Sequence, residues 1–87
     1  MKKITATMMG VKLHFTIKSE KVFLQCHPMM LNQMKNIYQQ ASTQPNSQIK
    51  SVDVVDDVLV ITYKTDEEKE LEKFLREGLK AQGFDVK

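Results

Sequence analysis

The chain has 87 residues, 41% of them hydrophobic and 28% charged, which is the balance of an ordinary folded domain and excludes a disordered chain. That length allows one domain, 1–87, just above the roughly 70–80 residues below which a core needs disulfides or a metal. The single cysteine, Cys26, excludes an intramolecular disulfide, and the formal net charge of +2 is unevenly spread: residues 1–50 carry seven lysines against Glu20 alone, whereas residues 51–87 carry six basic and ten acidic side chains.

Residues 4–17 read as a β-hairpin. Ile4, Ala6 and Met8, then Val11, Leu13, Phe15 and Ile17, alternate with polar residues, the period of a half-buried strand. A two-residue Met9-Gly10 turn pairs Met8 with Val11, Ala6 with Leu13 and Ile4 with Phe15. All six then share one face. Slipping the register by one residue would mix apolar and polar sets, so this pairing is specified by the pattern itself. A third strand follows a Ser19-Glu20 turn and sets Ile17 against Val22, Phe15 against Leu24 and Leu13 against Cys26. Ser-Glu is a mediocre two-residue turn, so a longer loop is an alternative there.

Pro28 opens a helix, where its missing N–H costs nothing. Met30, Met34, Ile37, Tyr38 and Ala41 form its apolar stripe, with Leu31 at the edge. Ser42 to Gln48, containing Pro45, reads as a loop. A second hairpin spans 49–64. An Asp56-Asp57 turn pairs Val54 with Leu59 and Val52 with Ile61, and with Tyr63 these give a second core face. Its other face holds Val55, Val58 and Val60 beside Ser51, Asp53 and Thr62, more valine than a freely solvated face needs.

The last helix carries a capping box from Thr65 to Glu68 and the stripe Leu71, Phe74, Leu75 and Leu79. Gly83 is placed to end it in a left-handed cap, with Phe84 folding back onto Leu79. Gly78 falls on the buried side, which reads as close helix packing. The order is therefore β-β-β-α-β-β-α. The expected fold class is α+β: a largely antiparallel five-stranded sheet with two helices packed on one face.

Chemical signatures are sparse. No phosphate-binding glycine loop, nucleophile elbow or zinc-protease motif occurs, and nothing points to a cofactor or a catalytic residue. Cys26 and His27 are neighbours on a strand and project to opposite faces, a poor nucleophile–base arrangement. Together with Met29 and Met30 they suggest a soft-metal site for Cu(I), a reading that ranks last because methionine is also a good core filler.

The outer face of the first three strands is the sharper signal. It presents Lys3, Lys12, His14, Lys18 and Lys21 with Phe23 among them. Lysines attract phosphate and an exposed aromatic can stack a base, so nucleic acid is one candidate partner. The only arginine, Arg76, lies in the acidic half, and one aromatic is a thin platform, so a solvated face whose lysines deter aggregation outweighs that reading. Val55, Val58 and Val60 with Phe23 suggest instead an apolar interface for a protein partner or a second copy. The expectation is a non-enzymatic protein-binding or self-associating module acting through its open sheet face, with nucleic acid as the alternative. No apolar run approaches the ~18 residues of a membrane span, and Thr5, Thr7 and Lys12 interrupt any signal-peptide core, so a cytoplasmic location without membrane contact is expected.

Overall fold

A computed structural model describes residues 1–87. Strands β1 (Lys2–Met8), β2 (Val11–Lys18) and β3 (Lys21–Gln25) precede α1 (Pro28–Ser42). Strands β4 (Ile49–Val55) and β5 (Val58–Tyr63), α2 (Glu68–Ala81) and a two-residue β6 (Asp85–Val86) follow. The six strands form one antiparallel sheet in the order β4-β5-β3-β2-β1-β6, an α+β fold with one more strand than the pattern of the sequence indicates.

The three hairpin turns each contain two residues, and their backbone explains how. Met9 and Gly10 both have positive φ (50° and 81°), as do Asp56 and Asp57 (51° and 63°), the pattern of type I′ turns whose twist matches the flanking strands. In the Ser19-Glu20 turn Ser19 alone is positive (55°), as in type II′, so no longer loop is needed there. The registers follow the apolar pattern: Met8 pairs with Val11, Ile4 with Phe15, Ile17 with Val22, and Val52 with Ile61.

Both helices cover the same face of the sheet. α1 lies over β4 and β5, and α2 lies over β2 and β6. Between them and the sheet is a core of 17 buried side chains, among them Phe15, Leu24, Met34, Leu59, Leu71 and Leu75. Burying each such large apolar side chain stabilises the fold by about 1.5–3 kcal/mol. Lys2 reaches from β1 to Glu72 on α2 (3.9 Å), and Glu72 also accepts from the Arg76 Nε (2.9 Å). The single arginine is thus engaged on the helical side of the molecule.

The ends of α2 differ from each other. At its C-terminus Gly83 takes φ +96°. Its N–H donates to the Lys80 carbonyl and that of Phe84 to the Leu79 carbonyl, both at 3.0 Å, a complete Schellman cap that buries Phe84 against Leu79. This reversal aims Asp85 and Val86 at the free edge of β1, where the Lys87 N–H donates to the Thr5 carbonyl (2.9 Å). At the N-terminus the capping box does not form. The Thr65 hydroxyl accepts from the Glu67 N–H (3.2 Å) rather than from Glu68, because the helix begins two residues later than the motif requires.

Three further expectations need correction. Gly78 is exposed, and a Cβ added there would meet nothing within 4 Å, so close helix packing does not account for it. Val54 is 40% exposed, because β4 is an edge strand and its turn end lacks a neighbour on one side. Cys26 is half-buried at the rim of the core instead of fully enclosed, since β3 ends at Gln25.

Candidate functional site

The face of the sheet opposite the helices is uncovered. Strand pairing sets its outward residues in rows across the sheet. One row runs Asp53, Val60, Phe23, Thr16 and Lys3; the next along the strands carries Val55, Val58, Gln25, His14 and Thr5. A third carries Ser51, Thr62, Lys21 and Lys18.

The key join is β3 to β5. It puts Phe23 directly beside Val60 and Lys21 beside Thr62. The basic face of the first hairpins and the valine face of the last hairpin are therefore one continuous surface. Lys21, Phe23, Asp53, Val55, Val58 and Val60 line a common depression on it. The segment Phe84–Lys87 runs along the opposite edge, at β1, and leaves the valines uncovered.

The patch has a graded exposure. Val60 is 9% exposed and is the one buried side chain outside the main core. It is sheltered by its neighbours on the open face, which form a small apolar cluster of their own. Phe23 and Val58 are half-buried, and Val55 is 56% exposed. Charge differs from side to side. Outward residues of β2 and β3 include Lys12, His14, Lys18 and Lys21, with Lys3 on β1, and these three strands contain no acidic residue; across the valines lie Asp53 on β4 and Asp56 in its turn. Lys18 and Lys21 face each other across the β2–β3 turn, a like-charge pair that disfavours folding slightly and that an anionic group on a partner would relieve.

Two of the residues considered for soft-metal binding, His27 and Cys26, have other roles. His27 is the N-cap residue of α1, its Nδ1 accepting from the Met29 N–H (3.2 Å). Cys26 packs against the rim of the core, and burial pushes its thiol above the ordinary value, which disfavours the thiolate a metal or an electrophile would need. Met29 is exposed, and no three His, Cys, Asp or Glu side chains cluster with the spacing of a metal site.

A second concavity, about 270 Å³, opens between α1, α2 and the β4–β5 end of the sheet. Tyr38, Tyr63, Ile49 and Phe74 line it, and Gly78 sits at its rim. Burial raises both phenols, Tyr63 up to about 12 and Tyr38 further, with the neighbouring Tyr63 adding to the effect on Tyr38. This groove was not legible from the sequence, where Tyr38 and Tyr63 read as members of two separate core stripes.

No family model matches the chain, and no curated protein or solved structure is significantly similar to it.

Proposed function

We propose that the protein is a non-enzymatic binding module that engages another protein surface through the open face of its sheet. The observation that carries this reading is the contiguous patch of Phe23, Val60, Val58 and Val55 on a face neither helix covers, flanked by lysines on one side and aspartates on the other. Apolar patches rimmed by charge are typical of interfaces, where desolvated aromatic and aliphatic side chains supply affinity and the charged rim supplies orientation.

Nucleic acid is the second reading, favoured by the outward Lys3, Lys12, Lys18 and Lys21. Three features weigh against it. Phe23 is flanked by Val60 and Thr16 instead of further aromatics, Asp53 lies in the same row, and Arg76 is tied to Glu72 on the far side.

Photo-crosslinking separates the readings. Benzoylphenylalanine in place of Phe23 is expected to yield protein adducts in cells, whereas the same group in place of the exposed Lys73 on α2 yields none. Equal adducts at both positions, or none at 23, would contradict the proposal. Labelled oligonucleotides are expected to show no binding at physiological salt. Binding that is lost in Lys18→Ala/Phe23→Ala would assign the face to nucleic acid instead.

A further inference from the structure

Taking the open face as a protein-binding surface, we infer that its occupant is a second copy of the same chain, related by a two-fold axis parallel to the strands and lying between β3 and β5. The inference rests on how the four strands β4-β5-β3-β2 are ordered. About the midline between β5 and β3 their outward chemistry is complementary. The two inner strands are apolar at the same row, Val60 on β5 and Phe23 on β3. The two outer strands differ in charge toward one end: β4 carries the exposed Lys50 at its bulge but presents Asp53 beyond it and ends in the Asp56-Asp57 turn, whereas β2 presents Lys12, His14 and Lys18.

A two-fold axis along that midline exchanges β5 with β3 and β4 with β2 while keeping each row in place. Phe23 of each copy then lies on Val60 of the other, and Val58 on Gln25. The acidic turn end of β4 in each copy lies over the basic β2 of the other, twice by symmetry. Lys21 lies over Thr62 and Lys18 over Ser51 of the other copy. Asp53 falls in the row next to that of Lys18, within reach of a flexible lysine side chain. Such a contact is self-complementary without any change in the monomer, which is what an isologous interface requires.

The available area places the contact among the smaller interfaces. Four strands about 4.8 Å apart and about 20 Å long offer some 400 Å² in plan, so two copies bury on the order of 1,000 Å². That falls below the roughly 1,200–2,000 Å² of standard specific interfaces, in the class of weak and transient contacts, so the dimer is sought at high concentration.

Sedimentation equilibrium from about 10 μM to 1 mM tests the inference. The wild type is expected to pass from monomer to dimer, and Val58→Asp to remain monomeric. Lys18→Glu and Asp53→Lys, both at exposed positions that leave the core intact, are each expected to weaken the dimer roughly tenfold, because each change occurs twice. The double variant Lys18→Glu/Asp53→Lys is expected to recover most of that loss. A wild type that stays monomeric at 1 mM overturns the second copy as occupant, while adducts to another protein at position 23 would leave the open-face reading standing. A dimer unaffected by all four variants likewise overturns the inference, since association would then run through a different surface.

Discussion

The two faces of the sheet are built from the same strands, residue by residue in alternation, yet they obey different rules. On the covered face the central strands are apolar at each inward position beneath the helices: Leu13, Phe15 and Ile17 on β2 are buried, as are Leu59, Ile61 and Tyr63 on β5. The open face alternates in charge and apolarity from strand to strand, and shelters Val60 without any helix above it. A face selected for solvent alone has no need of four apolar side chains in contact. The difference locates the part of the surface that the fold does not require.

The largest expected effect sharpens this contrast. Phe15→Ala removes a fully buried ring and is expected to cost about 3–5 kcal/mol in chemical denaturation. Val55→Ala on the open face is expected to change stability by less than about 0.5 kcal/mol while weakening association. A comparable loss of stability from both would show that the open face is a second structural core.

High pH probes the covered face alone. Tyr38 and Tyr63 are the two tyrosines of the chain, and burial raises both above the ordinary value of 10.0. Unfolded phenols ionise near pH 10 whereas the folded ones stay protonated, so unfolding releases protons as pH rises. The stability involved is fully present below pH 10 and is lost as pH climbs through 10 to 12, by up to about 1.4 kcal/mol per pH unit for each tyrosine. Tyrosinate absorbance is expected to appear in one cooperative step with unfolding. Gradual ionisation of the intact fold would mean that the phenols are accessible to solvent hydroxide.

The smallest effect concerns α2. Gly78 lies inside a helix with open space at its Cβ position and no positive φ. Gly78→Ala is expected to stabilise the protein by about 0.5–1 kcal/mol through helix propensity. A loss of stability on thermal melting would show that the neighbouring groove closes more tightly than its 270 Å³ suggests.

Local features were legible in the sequence and the long-range join was not. Period-two alternation with Met9-Gly10 and Asp56-Asp57 between the runs specified the hairpins and their registers, because a one-residue slip would have turned Phe15 or Ile61 to water. Gly83 and Phe84 likewise announced the end of α2. The pairing of β3 with β5 has no local signature, since each hairpin satisfies its own pattern whatever lies beside it. Phe23 and Val60 could therefore be placed on open faces, but not side by side. β6 is two residues long, too short for a periodic signal, and depends on where the Schellman turn aims the chain. The Thr65–Glu68 motif misled because capping is decided by which residue first takes helical backbone, and here that is Glu68 itself.

The most direct test of the account is a concentration series of methyl NMR spectra on valine- and leucine-labelled protein. The methyls of Val55, Val58 and Val60 are expected to shift together as the protein is concentrated, while those of Leu13, Leu71 and Leu75 beneath the helices stay fixed. Shifts confined to the helical side, or none at the open face while the mass rises, would contradict the assignment of that face as the interface.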